Sequence, residues 1–119
     1  MGFKLFREKM AWYKVAARIE ELEEKTPLYG KHCTVVNRKS ICITRYPDKW
    51  YAFENKCPHQ GVKLNGATCT EDRMIVCPWH RYAFSLETGR GAGLYMEIYP
   101  IKIEEKGVYV GFEYLSFLF

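Results

Sequence analysis

Long apolar runs are missing from this chain. No stretch of about 18 consecutive apolar residues occurs, so we expect no membrane-spanning helix. The first ten residues, MGFKLFREKM, lack the apolar core of a secretion signal. Met1-Gly2 begins like a myristoylation motif, but Phe6 stands where Ser or Thr is required. These absences predict a protein that makes no contact with a membrane.

Other features are scarce in ways that narrow the function. Histidine occurs only three times, and the chain has no internal repeat and no low-complexity segment. The net charge is +4, yet no basic stripe interleaved with aromatic residues and no recognition motif occurs, so we expect no binding to nucleic acid. A chain of 119 residues is expected to form one domain, with no room for a second, catalytic domain. The sequence therefore predicts a protein that is not an enzyme by itself.

Cysteine is present in an odd number, five. Two cysteines belong to the pattern described below, which leaves Cys33, Cys42 and Cys69. A two-residue loop within Asn37–Ser40 would make Cys33 and Cys42 diagonal neighbours on adjacent strands, a poor geometry for a disulfide. We therefore expect buried free thiols, and with them a reducing, cytoplasmic location.

Short apolar segments separated by turn residues predict a chain made mostly of strands. Aromatic residues make up 16% of the sequence, which also favours β structure. Regularly spaced short strands indicate an antiparallel sandwich or barrel. One helical turn is predicted at Arg18–Lys25. The predicted strands are 11–16, Lys31–Asn37, Ile41–Tyr46, Lys49–Asn55, Arg73–Cys77, Glu97–Glu104 and Val108–Phe112.

Two short motifs concentrate the residues that bind metals. Cys57-Pro58-His59 and Cys77-Pro78-Trp79-His80 each offer one thiolate and one imidazole. A structural zinc site usually uses paired cysteines with paired histidines, or four cysteines. A Rieske-type 2Fe–2S cluster needs two cysteines on one iron and two histidines on the other. The mixed Cys/His pairs favour the cluster, and a zinc site is the alternative.

The sequence resembles the Rieske family in these motifs. The likeness includes CPHQG, CPWH, Phe84 and Thr88-Gly89, and extends from about Trp12 to Gly111. It implies an all-β fold, an antiparallel Rieske-like sandwich or barrel with an inserted small cluster-binding subdomain. The implied parts are a basal β domain (11–55 and 86–113), the subdomain (56–85) and terminal arms (1–10 and 114–119).

The resemblance also implies the cofactor and its ligands. One 2Fe–2S cluster per chain would be held by Cys57, His59, Cys77 and His80. We expect Gly61 and Gly66 to let backbone N–H groups approach the cluster sulfurs. Four apolar side chains are expected to cover the cluster and limit water: Leu64, Trp79, Tyr82 and Phe84.

Departures from the family pattern indicate the low-potential, soluble ferredoxin group. High-potential Rieske proteins have a disulfide where this chain has Val62 and Trp79, and they place a serine and a tyrosine hydroxyl near the cluster, at the positions that Tyr82 and Phe84 occupy here. Fewer hydrogen bonds to the cluster would leave its reduced form less stabilised. The later loop of the family usually contains a proline, whereas Gly91-Ala92-Gly93 has none, which leaves the rigidity of that loop open.

The resemblance implies a one-electron carrier. It would pass electrons from a reductase, such as a flavin reductase, to a terminal oxygenase or similar acceptor. The alternatives are a Rieske-like small subunit of a larger redox enzyme such as nitrite reductase, or a zinc-stabilised interaction domain. Basic residues near the motifs, Lys63, Arg81 and Arg90, predict docking to acidic partner surfaces. The apolar tail Tyr114–Phe119 is expected to pack on the N-terminal arm or to form a weak dimer.

Overall fold

Twelve strands and one helix are found in the part of the chain that the structure, a computed structural model, describes. It describes the backbone of residues 6–59 and 61–117, and the side chains of 9–59 and 61–114. All strand pairs within this part are antiparallel, which confirms the predicted fold class. The elements are β1 (Phe6–Ala16), α1 (Ile19–Lys25), β2 (Lys31–Val36), β3 (Lys39–Arg45), β4 (Trp50–Glu54), β5 (Thr68–Cys69), β6 (Met74–Val76), β7 (Ala83–Ser85), β8 (Arg90–Gly91), β9 (Leu94–Tyr95), β10 (Ile98–Tyr99), β11 (Ile101–Glu104) and β12 (Gly107–Phe117).

The strands form three sheets and one short ribbon. The outer sheet has the order β1-β12-β11, the central sheet β10-β4-β3-β2, and the third sheet β5-β6-β7, with β8 and β9 paired beside it. The helix α1 is seven residues long, and no helix in the described residues is long and apolar enough to cross a membrane.

The central sheet is buried on both faces. Ile41, Ile43 and Ala52 face a core shared with the outer sheet and with Leu22 of α1. Cys42 and Phe53, which are paired across β3 and β4, face a second core that includes the third sheet. Because alternate residues of a strand point to opposite faces, both sets must be apolar. This sheet is therefore the middle layer of the molecule.

The hairpin turn between β2 and β3 differs from the prediction. Its loop residues are Asn37 and Arg38, with φ of 50° and 64°, so Val36 pairs with Lys39. Two successive positive φ angles are the mark of a type I′ turn, which matches the twist of the flanking strands. The predicted loop lay one residue later, and that error shifts the pairing by two residues.

The corrected register places Cys33 directly opposite Cys42. Their Cα atoms are 4.0 Å apart, and a disulfide joins the two residues. The prediction of free thiols is therefore wrong for Cys33 and Cys42, while Cys69 is a buried free thiol as expected. The reducing compartment was argued from free thiols, so the cytoplasmic location stays a prediction without that support.

The terminal strands are longer than the sequence pattern predicted. β1 and β12 pair continuously from Phe6↔Phe117 to Ala16↔Val108, with an irregularity between Lys14 and Ala16. The tail therefore pairs with the N-terminal strand over its described part, as one of the two predictions had it. Residues 1–5, 118 and 119 lie outside the described residues. The predicted strand over Glu97–Glu104 is divided at Pro100, which separates β10 from β11.

Polar contacts through four side chains fasten the third sheet and its loops to the central sheet. Lys31 Nζ donates to the Ala67 carbonyl, and Tyr46 Oη donates to the Thr70 carbonyl. Arg73 donates to Tyr51 Oη at 2.8 Å and to Asp48 Oδ1 at 2.7 Å. The fourth side chain, Asn55, belongs to the site described below.

Arg73 makes the contacts from the third sheet to the β3–β4 turn. Its hydrogen bond is the leading cause that holds the pKa of Asp48 below its usual range. The Tyr51 hydroxyl in turn donates to Glu87 Oε1 at 2.6 Å and lowers the pKa of that carboxyl. Arg73, directly and through Tyr51, therefore links Asp48 in the β3–β4 turn, Tyr51 in β4 and Glu87 after β7.

We predict that Arg73→Met lowers the free energy of unfolding, because two hydrogen bonds are lost and the volume is nearly kept. Arg73 has a φ of 64°, which is unfavourable for Arg and Met alike. The substitution therefore tests the contribution of the guanidinium group alone. Urea unfolding followed by circular dichroism measures it, with Lys106→Met on an exposed turn as the control. Equal stability of the two variants would contradict the prediction.

Candidate metal centre

Two loops with the same closing hydrogen bond carry the predicted ligands. The Cys57 N–H donates to the Val62 carbonyl at 2.7 Å, and the Cys77 N–H donates to the Tyr82 carbonyl at 2.8 Å. In each case the bond spans five residues and turns the chain back on itself. The first loop follows β4, and the second joins β6 to β7.

Left-handed backbone at the same position shapes both loops. Gly61, four residues after Cys57, has a φ of 71°, and Arg81, four residues after Cys77, has a φ of 56°. His80 also has a positive φ, 59°. A non-glycine residue adopts this conformation at a cost, so the surrounding structure must hold His80 and Arg81 in place.

The two cysteines lie inside the domain. Cys57 and Cys77 are both fully buried and belong to the core between the central and third sheets. Burial raises the pKa of the Cys77 thiol, a backbone hydrogen bond from Trp79 lowers it, and the neighbouring Cys57 thiol raises it further. A compensating positive charge, such as a metal ion supplies, would favour the thiolate form of the buried Cys77.

The two histidines lie outside, at the exposed end of the same site. The rings of His59 and His80 are 5.9 Å apart between centroids, and both residues are exposed. The half-buried ring of Tyr82 lies beside them, 4.2 Å from His59. The four side chains therefore form an inner sulfur pair and an outer imidazole pair.

This arrangement fits a binuclear cluster better than a single zinc ion. A tetrahedral zinc site would require all four ligands around one centre. An inner pair and an outer pair instead match the Cys₂ iron and the His₂ iron of a Rieske cluster.

The predicted covering residues divide into two groups. Leu64 and Phe84 are fully buried beneath the loops, and Tyr82 is partly buried. Trp79 is 57% exposed, and its ring lies 6.5 Å from that of His80 between centroids, so its covering role stays a prediction.

The predicted glycine roles stay predictions. The Gly61 N–H itself donates to the Cys57 carbonyl at 2.7 Å and so closes the loop. Gly66 has open space where a Cβ would lie. The residue that does give its N–H to a sulfur is Trp79.

The proline-free loop at Gly91–Gly93 is fixed by packing. A Cβ on Gly91 would overlap the Ala83 carbonyl and would come within 2.9 Å of the Phe84 Cα. Gly91 therefore lies directly against β7, the strand that follows the second ligand loop. Gly91 is thus the packed position of this loop, whereas Ala92 and Gly93 are exposed.

Asn55 is a supporting residue that the sequence reasoning missed. Its side-chain oxygen accepts from the Leu64 N–H at 2.6 Å, and its amide nitrogen donates to Ser40 Oγ at 3.2 Å. Asn55 is buried and ties the first ligand loop to β3. The sequence feature that could have identified Asn55 is an amide side chain two residues before Cys57, at the end of a strand.

The fold and the paired ligands together define an all-β domain of the kind that holds a binuclear iron–sulfur cluster. The family model described as the Rieske [2Fe-2S] domain matches residues 11–96, more than half of the chain. The chain belongs to this family.

Known relatives include components of oxygenase systems. The ferredoxin component of the alkene monooxygenase system of Xanthobacter autotrophicus is 31% identical over 81 residues, 66% of each chain. The match thus spans just under two thirds of that relative. A solved complex of reduced oxygenase and oxidised ferredoxin in carbazole 1,9a-dioxygenase contains a similar chain, with TM-score 0.68, 27% identity, and coverage of 83% of this chain and 91% of that one.

A third similar structure bears on the fold alone. A putative NADH-dependent nitrite reductase small subunit from Mycobacterium tuberculosis superposes with a TM-score of 0.72 at 16% identity. The superposition covers 87% of this chain and 96% of that chain.

The two glycines of the first loop give a matched test of its geometry. Gly61→Ala places a side chain at a φ of 71°, which should cost about 1–2 kcal/mol and shorten the lifetime of the bound cluster. Gly66→Ala has open space and should be neutral or stabilise by up to about 1 kcal/mol. Urea unfolding, followed by the visible absorbance of the cluster, compares the two. Similar losses in both variants would show that the left-handed turn is not what holds the loop.

Proposed function

We propose that this protein is a one-electron carrier whose 2Fe–2S cluster is held by Cys57, His59, Cys77 and His80. The observation that carries the proposal is the arrangement of the ligands, with two buried cysteines beneath two exposed histidines. When bound, the cluster supplies a site that takes up and releases a single electron. The exposed imidazoles would bring that site to the surface, where a partner protein can approach it.

The chain's own residues would set the conditions at this site. The thiolates of Cys57 and Cys77 would offset part of the positive charge of the metal ions inside the core. Leu64 and Phe84 exclude water from the buried side. Phe84 offers no hydroxyl group to the sulfurs, which supports a potential at the low end of the Rieske range, about −150 mV.

The domain division belongs to the same proposal. Residues 56–85 would form the cluster-binding subdomain, and residues 11–55 and 86–113 would form the basal domain, with arms at 1–10 and 114–119. The third sheet and both ligand loops fall within the first of these ranges. The contacts of Asn55 and Arg73 across the boundary support a subdomain that is firmly attached.

The decisive experiment measures the cofactor directly. Purified protein should contain about two irons and two acid-labile sulfides per chain, and film voltammetry should give a midpoint near −150 mV. Alanine in place of any of the four ligands should abolish the visible absorbance. The control is Cys69→Ser, which changes a buried thiol outside the ligand set. Stoichiometric zinc in iron-replete protein, or a midpoint above about +100 mV, would contradict the proposal.

The partners would be a reductase, such as a flavin reductase, and a terminal oxygenase or similar acceptor. Ferredoxin components of oxygenase systems are among the relatives, and one similar ferredoxin is known in complex with its oxygenase. Lys63, Arg81 and Arg90 are all exposed, and no ion pair found in the described residues involves them. Their charges would therefore be available to an acidic partner surface.

Charge reversal at the second ligand loop tests this docking surface. Arg81→Glu should slow reduction by a cognate reductase about tenfold at low salt and weaken its salt dependence, because steering by charge is screened by ions. Stopped-flow kinetics over a series of salt concentrations provides the measurement. Lys106→Glu makes the same charge change on the β11–β12 turn and should have little effect. Equal rates for the two variants would place the docking surface elsewhere.

The predicted weak dimer through the tail remains part of the proposal. Tyr114 is 47% exposed at the start of the tail, and the backbone beyond it pairs with β1. Sedimentation velocity over a concentration series would detect self-association. A single monomeric species at all concentrations would rule out the proposed dimer.

A further inference from the structure

The three cysteines outside the candidate metal centre lie together on one face of the central sheet. Cys33 and Cys42 are directly opposite and are joined by a disulfide. The Cys69 thiol is within hydrogen-bonding reach of Thr44, which lies two residues beyond Cys42 on the same face. Cys42 and Cys69 belong to the same core as Cys57 and Cys77, and Cys33 packs against its edge.

The disulfide is accessible from one side only. Cys42 is fully buried, whereas Cys33 is partly exposed and lies on β2, the edge strand of the sheet. Val35, two residues further on the same face, is 69% exposed. The cover over this face therefore ends between Cys33 and Val35, and Cys33 is the more accessible half of the disulfide.

We propose that the Cys33–Cys42 pair is a second redox site, a disulfide–dithiol couple that exchanges with dithiol reductants and controls how firmly the first ligand loop is held. The exchange does not depend on the proposed cluster. The control of the loop rests on the proposed function, because it takes Cys57 and His59 as cluster ligands.

The exchange balances as a two-electron reaction. A thiolate of the reductant attacks the Cys33 sulfur, the Cys33–Cys42 bond breaks, and Cys42 leaves as a thiolate that takes up a proton. The second thiol of the reductant then attacks the reductant sulfur that is bonded to Cys33. This step releases Cys33 as a thiolate, which is also protonated. The products are Cys33 and Cys42 as thiols and the reductant as its disulfide.

A short chain of contacts connects this pair to the first ligand loop. Ser40 lies two residues before Cys42 on the same face of β3, and its hydroxyl accepts from the Asn55 amide. The Asn55 side chain in turn accepts from the Leu64 N–H. Opening the disulfide removes the covalent link between β2 and β3 beside this chain. The reduced protein should therefore hold the loop of Cys57 and His59 less firmly.

Cys69 provides an internal reference. Burial raises the pKa of its thiol, so little thiolate is present at neutral pH, and the side chain is buried. It should remain unmodified under conditions in which Cys33 reacts.

The experiment uses cluster-loaded protein prepared without reductant. Anaerobic treatment with dithiothreitol, removal of the reagent, and alkylation of the native protein should label Cys33 in peptide mass spectra, with no label on Cys69. Untreated protein should show a peptide linked through Cys33 and Cys42. If the linked peptide is absent, or persists after dithiothreitol until the protein is unfolded, the redox site is disproved.

The effect on the ligand loop is measured as the half-life of the visible absorbance at fixed temperature. The reduced protein should lose its cluster about tenfold faster than the oxidised protein, a change within the stabilisation that a short disulfide loop provides. The double variant Cys33→Ser/Cys42→Ser should behave like the reduced protein with or without dithiothreitol, and Cys69→Ser like the wild type. Should the double variant fail to fold, the wild-type comparison alone decides. Equal half-lives of oxidised and reduced protein, each with a full complement of iron, would overturn the control of the loop and leave the proposed function intact.

Discussion

The central sheet must bury both of its faces, and the rest of the structure depends on this constraint. Ile41 and Ile43 point to one core, while Cys42, between them, points to the other. A slip of one residue in any strand of the sheet would exchange these faces. Such a register is therefore strongly specified, and it determines where β4 ends and where the first ligand loop begins. The candidate site is in this sense an extension of the second core.

The asymmetry of the site follows from the same layering. The cysteine of each loop belongs to the core, and the histidine, two or three residues later, has already left it. The loops can turn this sharply because Gly61 and Arg81 take left-handed backbone at equivalent positions. Buried sulfur at one end and exposed imidazole at the other thus require no dedicated secondary structure. They require the end of a strand, a tight turn and a hydrogen bond from the cysteine N–H to the carbonyl five residues later.

Local pattern was sufficient to predict most strand segments, and it failed where pairing decided the outcome; the ligand assignment stays a prediction. The positions of Cys57, His59, Cys77 and His80 are visible in the sequence because metal chemistry restricts residue type and spacing. The disulfide was missed because the β2–β3 loop begins at Asn37 and not one residue later. Asparagine tolerates left-handed backbone, so the sequence did contain a signal for a loop that begins at Asn37. Whether the loop begins there or at Arg38 is decided by the twist of the whole hairpin. The left-handed backbone at His80 and Arg81 is likewise encoded by no apolar pattern.

Paired charges and the unpaired basic residues near the site lie in different parts of the molecule. Four ion pairs in the described residues lie around the central sheet and its turns: Lys39–Glu54, Arg45–Glu23, Lys49–Glu87 and Arg73–Asp48. Their opposite charges largely cancel at a distance. The basic residues Lys63, Arg81 and Arg90 take part in none of these pairs, and they lie in or near the loops that carry the histidines. These three residues therefore place unpaired positive charge beside the site, within a chain whose net charge is +4. Because long-range attraction depends on uncancelled charge, the proposed docking of an acidic protein would begin with orientation by these residues, before any short-range contact forms.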